Sequence, residues 1–254
     1  MNHSSYSQRS EEPRPGLLRF AAAALDLLFP PRCQACLAFR PQPLCDECRS
    51  TFQLIAPPFC DQCGEPLPGS QAGTKCAACR RDQFYFIAAR SAARFEGRLR
   101  SAIHAFKYDG RTHLAGPLGA LMAECLLDPV RGLPIATIEL VVPIPLHLQR
   151  QRQRGYNQSE LLGREVAQRV GRTLDAHCCR RTRPTVDQIG LSARQREDNV
   201  RGAFTAEGDA LRGRVVLLID DMYTTGATMN ECARALRRAG AADVYGLTLA
   251  RAVW

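Results

Sequence analysis

The stretch Val215–Thr228, VVLLIDDMYTTGAT, decides how the chain is read. Five apolar residues, Val215 to Ile219, run without a polar break into two acids. That is the pattern of a strand buried on both faces, as in a parallel sheet. A Thr/Gly-rich turn follows, and the helix-forming run Met229–Ala239 then stops at Gly240. Asp220 and Asp221 therefore fall at the strand's carboxyl end, where they can accept hydrogen bonds from a vicinal diol. The turn of Tyr223, Thr224, Thr225, Gly226, Ala227 and Thr228 offers consecutive backbone N–H groups and threonine hydroxyls to a phosphate. It does so at the positive end of a helix dipole. A diol at one end and a phosphate at the other describe a ribose 5-phosphate. The alternative is an ordinary buried strand with two surface acids, but paired carboxylates ending an apolar strand are costly without a partner.

Working outward, Glu139–Pro145 (ELVVPIP) reads as a second buried strand that feeds a basic segment, LHLQRQRQRG. Arg150, Arg152 and Arg154 alternate there, so an extended loop would aim all three to one side. The carboxyl end of a strand is where an open α/β sheet places ligand groups. A helix begins near Asn157–Ser159, with Leu161, Leu162, Val166 and Val170 as its buried stripe. Phe84–Gly97 alternates like a strand, and a helix over Arg98–Phe106 follows with Leu99, Ile103 and Phe106 inside. Lys107 and Arg111 flank the Asp109-Gly110 turn, before another helix that runs to about Leu127. Leu174–Arg181 and Asp243–Arg251 read as further strands. Thr182–Gly202 is long, polar and rich in breakers. A structureless loop of that length in a compact domain has the character of a lid, with Gln188, Arg194, Arg196, Asn199 and Arg201 as its polar groups.

The amino-terminal part differs in kind. Residues 1–15 are polar and proline-bearing, and Gly16–Phe29 reads as a short amphipathic helix docked on the body rather than a leader. Residues 30–83 carry four C-x-x-C pairs, Cys33/Cys36, Cys45/Cys48, Cys60/Cys63 and Cys76/Cys79. Two such pairs make a closed tetrahedral thiolate cage, so two structural zinc sites are expected, with iron–sulfur or redox use as the alternative. Sequential pairing is favoured and interleaved pairing stays open. Nothing directs secretion, so disulfides are not expected and the protein reads as cytoplasmic. No apolar run approaches the length of a membrane span. Cys125, Cys178, Cys179 and Cys232 lack metal-ligand spacing and read as ordinary thiols.

Net charge is +9 over 254 residues and is unevenly placed. Residues 1–83 hold nine basic against eight acidic residues, or +1, while residues 84–254 hold 25 against 17, or +8. Two thiolate-bound zinc ions would make the first part net negative. The second part of the chain, residues 84–254, is thus where an anionic ligand belongs. Of the four histidines beyond the amino-terminal tail, His104, His113, His147 and His177, His147 lies nearest the basic segment.

Val216–Thr228 resembles the binding signature of type I phosphoribosyltransferases, which hold 5-phosphoribosyl 1-diphosphate (PRPP); it departs at Tyr223, where a small aliphatic is commoner. The combination is narrower still. The cysteine pairs with FKYDGR, PIPLHLQRQRQRGYNQS, GLSARQREDNVRGAF and LLIDDMYTTGAT together resemble the ComF (ComF/GntX) family of competence-associated proteins, over about residues 25–254. The resemblance implies an α/β fold, the type I phosphoribosyltransferase fold of a parallel sheet flanked by helices, over residues 84–254. It also implies a double zinc ribbon over residues 30–83, PRPP or a related phosphate ligand with Mg2+, and a lid at Arg194. Arg150 would meet the pyrophosphate, with Arg152, Arg154 and Lys107 on the pyrophosphate or nucleic-acid side. Single-stranded DNA and a helicase or DNA-uptake partner are implied as partners, in natural transformation. Tyr108, Tyr156 and Phe204 are the candidates for base stacking. The alternative is an active transferase moving ribose 5-phosphate from PRPP to a base or amine, with Asp220 and Asp221 as catalytic residues.

Overall fold

The computed structural model describes residues 30–69, 74–185 and 192–252. The expected amphipathic helix at Gly16–Phe29 and the lid residue Gln188 lie outside these. In chain order the elements are α1 (Asp46–Ser50), α2 (Ala77–Arg81), β1 (Ala89–Arg94), α3 (Gly97–Tyr108), α4 (Ala115–Leu127), β2 (Leu140–Pro143), α5 (Leu148–Arg154) and α6 (Gln158–Val170). They continue with β3 (Thr173–Leu174), β4 (Cys179–Arg181), α7 (Ala193–Val200), β5 (Phe204–Ala206), β6 (Val215–Tyr223), α8 (Ala227–Arg238) and β7 (Asp243–Arg251).

The sheet has the strand order β1-β7-β6-β2-β3, and every pairing is parallel. The apolar run in β6 is why that strand lies at the centre. Val216, Leu217, Leu218 and Ile219 are each fully buried. Side chains alternate across a strand, so Leu217 and Ile219 join one core with α3, α4 and α6, while Val216 and Leu218 join the other with α8. Each such residue contributes about 1.5–3 kcal/mol by leaving water. The architecture is the expected one: a parallel α/β sheet flanked by helices, behind a small cysteine-rich module.

That module is built onto the sheet's outer edge. The amide of Arg94 donates to the Gln53 carbonyl at 2.8 Å, Ile55 N–H to Ala92 at 3.2 Å and Ala89 N–H to Gln62 at 2.6 Å. These bonds cover the edge of β1 that would otherwise be left unpaired. The first four cysteines and Phe52 extend one core, and the second four with Phe86 extend the other. Gly64 sits at the second contact with φ +72, and a Cβ there would lie 2.7 Å from the Ala89 carbonyl oxygen. Only glycine allows both the turn and the approach.

Several local expectations are corrected. The segment Arg150–Arg154 is helical, not an extended loop, and in a helix Arg152 points roughly 200° from Arg150. Leu174–Arg181 is not one strand. Asp175 Oδ1 accepts from the amides of His177 (2.8 Å) and Cys178 (3.0 Å), and this turn breaks it in two. The first piece pairs with β2, and the second pairs antiparallel with β5. The segment Thr182–Gly202 contains α7, whose amino end is closed by a reciprocal capping box between Ser192 and Gln195. The strand expected from Phe84 starts only at Ala89. Cys125, Cys178, Cys179 and Cys232 are buried thiols.

Candidate ligand site and zinc centres

The cysteines gather as Cys33, Cys36, Cys45 and Cys48, and as Cys60, Cys63, Cys76 and Cys79, so the pairs combine sequentially. Within each set all sulfurs lie within 4.8 Å of one another. Four thiolates around zinc at about 2.3 Å define a tetrahedron with edges of about 3.8 Å. Cys33 and Cys48 are 3.8 Å apart, Cys36 and Cys45 3.9 Å, and Cys63 and Cys76 3.7 Å. Backbone amides also point at the sulfurs, as Cys45 N–H to Cys33 Sγ at 3.4 Å and Cys76 N–H to Cys60 Sγ at 3.3 Å. Donor set, spacing and amide support fit two closed zinc sites.

The candidate ligand site is a cavity of 970 Å³ at the carboxyl end of the sheet. That size is at the upper end for small-molecule pockets. Asp220 and Asp221 form its floor, and neighbouring elements hold each of them. Ser159 Oγ donates to Asp220 Oδ1 at 2.8 Å, as does the Asp221 amide at 2.9 Å. Gln158 Nε2 donates to Asp221 Oδ1 at 3.3 Å, and Gln158 accepts in turn from Arg154. Lys107 forms an ion pair with Asp221 Oδ2. The Tyr156 hydroxyl donates to the Phe106 carbonyl, which fixes the end of α3 that presents Lys107. Asn157 caps α6 by accepting from Ser159 N–H at 3.1 Å, and its amide donates to the Ile144 carbonyl at 3.2 Å.

Burial, together with the Asp221 charge beside it, raises the Asp220 carboxyl to about 7; Lys107 and Ser159 pull it the other way. Asp220 thus titrates near neutrality at the cavity floor.

The turn after β6 divides its residues between two sides. Tyr223, Thr224, Gly226 and Thr228 line the main cavity, whereas Thr225 and Ala227 line a smaller one beside α7. Gly226 has φ +83, and a Cβ on it would stand 2.2 Å from the Tyr223 hydroxyl. The glycine thereby turns the chain into the first turn of α8, where the Ala227 N–H donates to the Thr225 hydroxyl at 3.4 Å.

The arginines sort by helical geometry. Arg150 and Arg154, one turn apart, line the cavity, and Arg152 is exposed outside it. From the segment read as a lid, Arg196 lines the cavity and Arg194 does not. Arg100 and Arg181 also line it, and neither stood out in the sequence. Arg181 stacks over Phe204 at 5.2 Å, and burial lowers its pKa. His147 is turned away to cap α5, accepting from Gln149 N–H at 3.4 Å, and His104 lines the cavity instead. Of the three stacking candidates, Phe204 is buried and Tyr156 is engaged at Phe106. Tyr108 is exposed at the cavity edge, with Arg154 over its ring at 5.4 Å. Gln158 and Ser159 stand within the motif PIPLHLQRQRQRGYNQS, but nothing in their spacing announced that they reach the acid pair. No helix among the described residues is long and apolar enough to cross a membrane.

Fold and site together define the class: a parallel α/β domain with an acid pair and a glycine-turned loop at one strand end, carrying a double zinc ribbon on its edge strand. The double zinc ribbon domain family matches residues 24–82. The DNA utilization protein YhgH of Salmonella typhimurium (strain LT2) is 31% identical over 220 residues, covering 86% of this chain and 95% of that protein. Competence protein F of Haemophilus influenzae is 30% identical over 226 residues, covering 87% of this chain and 95% of that protein. The chain belongs to this family, the ComF family. Among solved structures, glutamine PRPP amidotransferase from B. subtilis, complexed with ADP and GMP, is similar with a TM-score of 0.34 and 22% identity, over 52% of this chain and 25% of that one.

Proposed function

We propose that this protein binds PRPP or a closely related ribose phosphate and assists the handling of single-stranded DNA during DNA uptake. One observation carries the reading of the ligand. Two carboxylates at the end of β6 stand directly before a Gly226-turned loop at the amino end of a twelve-residue helix. The carboxylates suit the ribose hydroxyls, and the loop N–H groups with Thr224 and Thr228 suit the 5-phosphate. Arg150, Arg154, Arg181 and Arg196 line the same cavity and suit a diphosphate. Mg2+ would arrive with the ligand, held mainly by its hydroxyls and diphosphate.

The names of the relatives support the role in DNA uptake, and the +8 charge of residues 84–254 favours a polyanion. Tyr108 under Arg154 offers one exposed ring for a base. The eight zinc-binding thiols suit a reducing, cytoplasmic setting. A helicase or another member of the uptake machinery fits the role as partner.

The test is calorimetric titration with PRPP and Mg2+, comparing the native chain with the Asp220→Asn/Asp221→Asn double variant. Binding that the variant loses supports the pocket. No binding by folded, zinc-loaded protein removes the ribose phosphate reading. Fluorescence anisotropy with a single-stranded oligonucleotide, repeated across salt concentrations, tests the other half. Counterion release requires affinity to fall steeply with salt, so a flat response counts against DNA binding.

A second reading is favoured by Asp220 alone. A carboxyl that titrates near neutrality beside the ribose position suits acid–base work, as pentosyl transfer to a base or amine would require. Pyrophosphate release with any acceptor, lost in Asp220→Asn, would support it.

A further inference from the structure

The end of β7 joins the anion loop to the second cysteine cluster through one buried side chain. In the parallel register Arg251 lies beside Tyr223, and the Ala252 amide donates to the Tyr223 carbonyl at 3.0 Å. Arg251 is only 4% exposed. One of its terminal nitrogens donates to the Cys63 carbonyl at 2.8 Å. The other reaches Cys63 Sγ at 3.5 Å and Glu65 Oε2 at 3.2 Å. Its guanidinium carbon stands 4.3 Å from the centre of the Tyr223 ring. A planar fork can meet a carbonyl, a thiolate, a carboxylate and an aromatic face together, and an ammonium cannot. Arginine donation to a zinc-bound thiolate also offsets part of the cluster's negative charge.

Tyr223 completes the connection. It is 3% exposed, and its hydroxyl makes no hydrogen bond among the described residues. A buried hydroxyl without a partner is uncommon and calls for a reason. This one rests against Gly226, and both residues line the cavity.

We propose that Arg251 locks Tyr223 to the second zinc cluster, so that the anion loop takes its binding form only when that cluster holds metal, and that the Tyr223 hydroxyl donates to the bound phosphate. Arg251 is a positioning residue, and Tyr223 touches the ligand. Among the described residues the first cluster shows no such connection: it packs with α3 and α4 in the other core. The ligand half of the proposal rests on the reading of the loop as a phosphate site; the link to the metal does not.

The experiment is hydrogen exchange on full-length, ligand-free protein, followed over the peptide spanning residues 219–230. Arg251→Lys and Cys76→Ser, which lacks a ligand of the second cluster, are expected to raise exchange there at least severalfold. Cys36→Ser, which lacks a ligand of the first cluster, should leave it unchanged and so controls for general loosening. Tyr223→Phe keeps the ring, and should keep native exchange while weakening PRPP about fivefold, the loss of one hydrogen bond. Native exchange in Arg251→Lys, or an equal rise in both cysteine variants, overturns the link. If the native protein fails to bind PRPP, the phosphate reading falls and takes the role of the hydroxyl with it, while the exchange comparison still decides the link to the cluster.

Discussion

Lys107, in the last turn of α3, forms an ion pair with Asp221 at the end of β6, and the two side chains keep only 18% and 3% of their exposure. The contact ties the helix after the edge strand to the centre of the sheet. It also supplies a cation directly on the more buried member of the acid pair, and so makes two adjacent carboxylates tolerable at the end of an apolar strand.

Replacing Lys107 with methionine keeps its stem and removes the charge. Asp221 is then left buried beside Asp220 without a counter-ion. The expected loss in stability at pH 8 is about 3 kcal/mol, the lower end for breaking a buried pair, because the cavity admits water. Urea unfolding checks this. Adding Asp221→Asn in the same chain should restore most of the loss. A stable single variant would mean that the pair contributes nothing.

The pH dependence has a defined sign. Asp220 is raised to about 7, above its unfolded value of about 3.9. The folded state therefore holds more protons across that window, and this group's contribution to stability falls as pH rises through it. Ligand binding runs the other way, because accepting hydrogen bonds from a diol requires the ionised carboxylate. PRPP affinity should rise about tenfold between pH 6 and pH 8, following the ionised fraction. Asp220→Asn should weaken binding and flatten its response. An equally steep response in the variant would assign the titration to the ligand.

The arginines of α5 separate cavity from surface. Arg150→Gln and Arg154→Gln remove groups that line the cavity, while Arg152→Gln removes an exposed one. Each of the first two should cost PRPP at least tenfold, as charge-assisted contacts to a diphosphate do. Arg152→Gln should leave PRPP unchanged, and can affect DNA only through one fewer counterion released. Comparable losses at all three positions would contradict the helical placement.

What the sequence made legible was what periodicity and local chemistry encode. The run Val215–Ile219 announced a central strand because burial on both faces requires unbroken apolar residues. The C-x-x-C pairs announced metal because each knuckle is local. Sequential pairing could be favoured, but only the assembled sulfurs decide it. Arg150–Arg154 misled because alternation suggests an extended chain, whereas LQRQRQR is also a run of good helix formers. Ser159, Gln158 and Arg251 carried no signal. Their partners, Asp220, Asp221 and Cys63, are distant in sequence, and only the packing of α6 on β6 and of the cysteine module on the end of β7 brings them together.

Metal removal should expose the two halves of the core unequally. The chain is expected to carry two zinc equivalents, measurable by release to a colorimetric chelator at neutral pH. Each cluster ends one of the two cores, the first against α3 and α4, the second against Phe86 and α8. Closed zinc sites of this kind contribute folding energy directly. Stripping both should therefore loosen the edge of β1, where the amides of Ala89, Ile55 and Arg94 bridge module and sheet. Limited proteolysis should then cut first between residues 49 and 69, while β6, at the centre of the sheet, resists longest. Zinc-free protein with native protease resistance in that segment would show that the ribbons are ornaments on a sheet that closes its own edge.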